Sequence, residues 1–348
     1  MTSNPVVEDW VYGSEPAEGP GGAAFGNVLG GIYGRSELTA IPKPADLIAD
    51  VVASGVVVLV GAWGIGKTFL TVGMACSVAT GRTWLGHDVN AAPVLYVVGE
   101  GSTGLDDRLA AWETAYNRGK TIPDADLTIA VQPRSLSERE TWARLTELAL
   151  AKTVRFVILD TFSSLAPDAD ETKDAPLVMR RAADLATAIG GTVLLVHHPG
   201  WSDATRTRGG YQFEANAEEV LLLTGTPEDP LVTLKVKKLK EGTPGRTIWL
   251  RRTPIQLTGD RLGRNSIVMS TIGAGEVDAP IRDRIALILA NYDDVGATGP
   301  QVMAELKIPD EQRSTFYRNL AAMVRDDQIL VAGKGNARRY FTTKETDR

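Results

Sequence analysis

The segment Gly61-Ala-Trp-Gly-Ile-Gly-Lys67-Thr68 fits G-x-x-x-x-G-K-[ST] without a mismatch. At that spacing a glycine-rich loop curls its backbone N–H groups inward around a phosphate. An apolar β-branched run, Val56–Val60, leads into the loop, and a helical pattern, Phe69–Ala79, follows it. The helix N-terminus therefore adds positive potential at the same point. In this frame Gly61, Gly64, Gly66, Lys67, Thr68 and Phe69 bind a nucleoside triphosphate, with ATP and Mg²⁺ expected. Lys67 reaches the β- and γ-phosphates, and the Thr68 hydroxyl ligates the Mg²⁺.

Further along the chain, other segments carry groups that could work on such a ligand. Arg155-Phe-Val-Ile-Leu-Asp160 is a Walker B pattern, four apolar residues ending in an acid. Asp160 is thus expected to hold Mg²⁺ through water opposite Thr68. Val94-Leu-Tyr-Val-Val-Gly-Glu100 is a second strand pattern ending in an acid, and Glu100 is the expected general base for an attacking water. Thr192-Val-Leu-Leu-Val-His197-His198 ends in two of the three histidines. One of them can hydrogen-bond the γ-phosphate, and the sequence leaves open which; a histidine pair without Cys, Asp or Glu at ligand spacing is a poor zinc site. The polar stretch 199–210 holds Arg206 and Arg208 and reads equally as a pore loop touching a phosphate backbone or as a solvated surface loop. Lys235-Val-Lys-Lys238-Leu-Lys240 is read at the end of an edge hairpin. A charge run is usually a solvated face, but basic side chains acting in trans on a transition-state phosphate give large rate factors.

These groups need a scaffold that gathers strand ends. Val56–Val60, Val94–Val98, Phe156–Leu159, Val193–Val196 and Val220–Leu223 are continuous apolar runs, as expected for strands buried on both faces of a parallel sheet. Leu231–Val236 and Thr247–Leu250 alternate, which predicts an antiparallel hairpin at the sheet edge. Residues 1–44, rich in Gly, Pro and Ala, read as a flexible arm. The α/β core spans 45–270, residues 271–280 are a linker, and 281–348 show three helical patterns and a short hairpin, a winged helix-turn-helix in outline. Arg318 on its third helix and Arg338 and Arg339 on the wing are candidate nucleic-acid contacts. Eleven acids balance eleven Lys/Arg from Asp278 onward, so protein contact is the competing use of this module.

A net charge of −6 over 348 residues argues against a generally basic nucleic-acid coat. With Cys76 the sole cysteine, no disulfide can form within the chain, which suits a reducing cytoplasm. No signal peptide is apparent, and the longest apolar run is too short to span a membrane.

Taken together, Gly61–Thr68, the Thr80-Gly-Arg-Thr-Trp-Leu-Gly86 stretch, Val94–Glu100 with Leu105–Leu109, Phe156–Ser163, Leu194–His198 and Lys235–Gly242 resemble the RepA/DnaB-like group of hexameric helicase ATPases. The RepA-like AAA ATPases of plasmids and phages are the nearest of these. The resemblance covers roughly residues 45–255 and implies a RecA-like P-loop NTPase with a central mostly parallel sheet. It also implies a hexameric homo-oligomer that moves on single-stranded DNA in replication. Glu100 is then the base, Asp160 the Walker B acid, a histidine of the 197–198 pair the γ-phosphate sensor, and Arg208 part of the segment after the pore loop. Lys238 and Lys240 fall where the family carries a trans-acting Lys and Arg. Any primase or replication initiator is expected to be a separate protein. The competing expectation is an ATP-switched DNA-binding regulator or helicase loader; a metabolic P-loop kinase is disfavoured by the lack of a recognisable lid.

Overall fold

The computed structural model describes residues 34–36, 45–170, 172–199, 211–227, 230–240, 247–272, 281–290, 292, 295–306, 308–335 and 338–342. The chain divides into two units, Met1–Pro44 and Ala45–Arg348. The expected arm lies outside the described residues apart from 34–36, and all that follows concerns the second unit.

Nine strands form one sheet in the order β3-β2-β4-β5-β1-β6-β7-β8-β9. Its strands are β1 (Gly55–Gly61), β2 (Val94–Val98), β3 (Leu127–Val131), β4 (Phe156–Asp160), β5 (Thr192–His197), β6 (Glu219–Thr224), β7 (Leu231–Leu239), β8 (Thr247–Gln256) and β9 (Asn265–Thr271). The first six are parallel, and β7 to β9 extend the sheet antiparallel from β6. The helices of this part are α1 (Lys67–Thr80), α2 (Leu105–Tyr116), α3 (Arg139–Ala151), α4 (Phe162–Leu165), α5 (Ala175–Ile189) and α6 (Tyr211–Asn216).

The continuous apolar runs follow from burial on both faces. Along β1, Val57 and Leu59 pack with Leu70 and Met74 of α1, whereas Val56, Val58 and Val60 pack with Val178 and Leu185 of α5. Successive side chains point to opposite faces of a strand, so both sets must be apolar. All five runs form parallel strands. The strand β5 lies between the loop-bearing β1 and the acid-bearing β4.

The expected edge hairpin is corrected in two respects. It is part of a three-stranded extension, with β9 at the edge, and β7 is flanked by β6 and β8. Because β7 continues to Leu239, past the expected end at Val236, Lys237 and Lys238 lie within the strand as Lys235 does. The strand β9 runs through Thr271, the first residue of the expected linker; residues 273–280 lie outside the described residues.

Further along are α7 (Ile281–Ala290), α8 (Gly299–Glu305), α9 (Arg313–Arg325) and an antiparallel hairpin of β10 (Ile329–Ala332) with β11 (Arg339–Thr342). Thr298 caps α8 in a box with Gln301, satisfying two helix-terminal donors reciprocally. Ile285, Leu289, Val302, Phe316, Leu320 and Tyr340 share a core of their own.

Candidate nucleotide site

The phosphate loop runs from the last residue of β1 to the first of α1. Gly64 (φ 78°) and Gly66 (φ 103°) are left-handed, a conformation in which a side chain is strained. Ile65 between them is fully buried and anchors the loop, while Trp63 is 79% exposed at its tip. The loop is braced from the antiparallel extension. Arg252 of β8 donates to the Thr226 carbonyl at 2.6 Å and reaches the Gly64 carbonyl at 3.4 Å. A Cβ on Gly66 would lie 2.5 Å from Met269 Cε of β9. Nothing in the sequence marked Arg252 or Met269, because their relation to the loop depends on the sheet order.

Lys67 is buried, and its Nζ donates to the carbonyls of Gly61 (2.7 Å) and Ala62 (2.9 Å). Burial lowers its ammonium to about 8, against the favourable charges of Asp160 and Glu100. His198 Nδ1 lies 3.3 Å from the same Nζ. The two histidines thus separate. His198 stands beside the phosphate-loop lysine, whereas His197 is fully buried between Phe162 (ring centroids 5.3 Å apart) and Phe213 (4.6 Å). Strand alternation accounts for this. Val193 and Leu195 face the α5 side and Leu194 and Val196 the α1 side, so His197 continues the first set and His198 the second.

Asp160 ends β4 on the α1 side. Its Oδ2 accepts a hydrogen bond of 2.6 Å from the Tyr96 hydroxyl. Among the described residues, its buried Oδ1 has no hydrogen-bond partner of acceptable geometry. Burial raises the Asp160 carboxyl, and the Tyr96 and Thr68 hydroxyls with the charges of Lys67 and Arg108 pull it back. A buried oxygen left over next to Thr68 suits a hydrated Mg²⁺.

Glu100 is exposed just past β2, between Gly99 and Gly101. Gly99 N–H donates to the Asp160 carbonyl at 2.8 Å, which ties this turn to the end of β4. A Cβ on Gly99 would lie 2.9 Å from Leu165 and 3.0 Å from Ser164, so glycine is what lets the turn approach. Arg108 of α2, named in the sequence only as part of a matching stretch, holds its guanidinium 5.3 Å from the Phe69 ring centroid and in reach of Gly101 and Gly104.

The remaining expected residues lie elsewhere. Lys238 Nζ donates to the carbonyls of Glu214 (2.7 Å), Ala215 (3.0 Å) and Ala217 (2.8 Å), spanning the end of α6. Lys240 Nζ pairs with Glu218 at 2.9 Å. Arg206 and Arg208 lie outside the described residues. Arg318 bonds Thr315 on the exposed face of α9. Arg339 donates to the Gly296 carbonyl at 2.9 Å, and Arg338 is exposed at the start of the last hairpin strand. Among the described residues there is no cluster of three His, Cys, Asp or Glu that could hold a metal, and no helix is long and apolar enough to cross a membrane.

Residues 34–204 match the family model described as "AAA domain". No curated protein matches the chain. Among solved structures it is similar to a KaiC-like protein from the hyperthermophilic archaeon Pyrococcus horikoshii. That likeness has 16% identity and a TM-score of 0.45, covering 66% of this chain and 97% of that one. It is also similar to the RadB recombinase, with 13% identity and a TM-score of 0.44, covering 58% of this chain and 90% of that one. Phosphate loop, mostly parallel sheet and family match agree on a P-loop nucleotide-binding α/β domain, the match covering residues 34–204, just under half of the chain.

Proposed function

We propose that the protein is an ATP-hydrolysing, ring-forming DNA motor, a replicative helicase of the phage or plasmid type. The observation carrying this reading is that Lys67, Glu100, Asp160 and His198 end or follow four different strands, β1, β2, β4 and β5, yet gather at one end of the sheet, with the Lys67 ammonium as their common neighbour. Lys67 neutralises the β- and γ-phosphate oxygens, and Glu100 takes the proton of the attacking water. Thr68 through its hydroxyl and Asp160 through water would hold Mg²⁺, which would supply charge neutralisation on the phosphates. His198 hydrogen-bonds the γ-phosphate, and the stretch that follows it in sequence supplies Arg206 and Arg208 as contacts for single-stranded DNA. A neighbouring copy in a hexamer supplies Lys240. The three-helix and hairpin module from residue 281, read as a winged helix, presents Arg318 and Arg338 for a DNA contact.

A second reading, an ATP-switched DNA-binding regulator or loader that does not unwind, is favoured by one observation. Lys238, one of the two expected trans-acting groups, spends its ammonium on three carbonyls of its own chain. Fork unwinding by wild type beside Lys67→Ala, with single-strand-stimulated ATPase measured on the same samples, decides between them. Strand displacement abolished by Lys67→Ala is expected. DNA-stimulated hydrolysis without displacement in wild type would remove the motor and leave the switch.

A further inference from the structure

Tyr96 stands in the middle of β2, 1% exposed, four residues before Glu100. It is the one polar side chain in the run Val-Leu-Tyr-Val-Val, where packing alone would accept phenylalanine. Strands β2 and β4 pair with Tyr96 opposite Ile158 and Val98 opposite Asp160, so Tyr96 and Asp160 are diagonal neighbours on the α1 face. The phenol donates to Asp160 Oδ2 at 2.6 Å and lies 2.8 Å from Thr71 Oγ1. Thr71, one turn into α1, also lies 3.2 Å from the carbonyls of Lys67 and Thr68. With the phenol proton committed to Asp160, Thr71 can only donate to the phenol oxygen. A buried chain therefore runs from the helix of the phosphate loop, through β2, to the acid on β4.

We propose that Tyr96 is a positioning residue for Asp160: by engaging Oδ2 it fixes the carboxylate so that Oδ1 faces the magnesium of Mg-ATP, and through Thr71 it ties that orientation to the phosphate-loop helix. This rests on the reading of Asp160 as the magnesium-holding acid. Both oxygens fit the assignment, one held at short distance and the other buried with no hydrogen-bond partner of acceptable geometry among the described residues.

The test is binding of mant-ADP to the full chain, titrated with Mg²⁺, for wild type, Tyr96→Phe, Thr71→Val and Asp160→Asn. Tyr96→Phe is expected to raise the half-saturating Mg²⁺ about tenfold, and Thr71→Val about threefold, as loss of hydrogen bonds to or behind a charged group implies. Affinity in EDTA should be unchanged in both, which a merely structural loss would not produce. A wild-type Mg²⁺ midpoint in Tyr96→Phe, with Asp160→Asn displaced, overturns the role of Tyr96 and leaves that of Asp160. A wild-type midpoint in Asp160→Asn overturns both. Equal weakening of mant-ADP with and without Mg²⁺ in Tyr96→Phe assigns the hydroxyl to packing and overturns the proposal. Should Tyr96→Phe fail to fold, an unmoved midpoint in Thr71→Val overturns it instead.

Discussion

Replacing Glu219 by glutamine should make the protein more resistant to urea at alkaline pH while changing little in acid. Glu219 opens β6, is 1% exposed and accepts the Ala53 N–H at Oε2, 2.8 Å away. Burial pushes its carboxyl up to about 8, against the Ala53 hydrogen bond and with help from the Asp46 charge. In the unfolded chain the same group returns to its ordinary value, 4.5. Between those two values the native protein holds a proton that the unfolded chain has released, so this carboxyl's contribution to stability falls as pH rises through the window. Each pH unit in it corresponds to about 1.4 kcal/mol. Over about three and a half units the full effect is on the order of 5 kcal/mol, complete once the native group has ionised. Glutamine keeps an acceptor for Ala53 and cannot titrate. The variant-minus-wild-type difference in unfolding free energy, from urea melts between about pH 5 and pH 9, should therefore climb steadily and then level off. A difference that stays constant over that range would refute the reasoning, since it would mean that the burial of Glu219 does not hold its proton.

Other expected outcomes follow from the site. His198→Ala should retain ADP binding yet lose the dependence of DNA binding on ATP, read by fluorescence anisotropy of a labelled single strand. His197→Ala should instead lower stability by about 3 kcal/mol, because it empties a packed aromatic slot between Phe162 and Phe213; equal behaviour of the two variants would contradict the strand alternation. Lys238→Met should lower the thermal midpoint by leaving three carbonyls at the end of α6 short of a donor. Lys240→Ala should leave that midpoint alone and cut hydrolysis at least about tenfold, less than the roughly 10³-fold that an arginine finger contributes at its low end because a lysine lacks the bidentate fork, while Lys240→Arg should raise hydrolysis. Trp63, exposed in the phosphate loop, should shift its emission when ADP binds, and Trp63→Phe should abolish the shift without abolishing binding, measured by mant-ADP.

What was legible beforehand was what spacing encodes locally. The loop, the acids closing β2 and β4, and the five apolar runs each needed only a short window, and buried parallel strands have a strong signature. The strand β3 escaped because Leu127-Thr-Ile-Ala-Val lies at a sheet edge with half-buried side chains, which removes the demand for a long apolar run. The strand β9 escaped for the same reason at the other edge. Tyr96 read as an ordinary core aromatic, since only the register of β2 against β4 brings its hydroxyl to Asp160. The histidine pair was resolvable in principle: the alternation that makes β5 apolar on both faces already assigns His197 and His198 to opposite sides. For Lys238 no local signal existed. Its carbonyl partners lie 21 to 24 residues away, across an irregularity in the pairing of β6 with β7 between Val220 and Leu221.

In the proposed ring, that same geometry bears on which lysine could act on a neighbour's nucleotide. Moving Lys238 would uncover three carbonyls at a helix end at once, and burial has already lowered its ammonium below the ordinary value. Its place is structural, and a ring that relied on it would have to unpick α6 at every turnover. Among the described residues the Lys240 ammonium pairs with Glu218 at the surface, with side chains 59% and 38% exposed. Such a pair is worth about 1 kcal/mol or less, little against the attraction of a polyphosphate. Lys240 can therefore exchange Glu218 for a neighbouring γ-phosphate without disturbing the sheet. As a lysine it brings a point charge and not a bidentate fork, so trans activation in the proposed ring should neutralise charge more than fix geometry. The orientation of the phosphate then falls to groups within the same chain, Lys67 and His198 on one side and the Tyr96-braced Asp160 on the other.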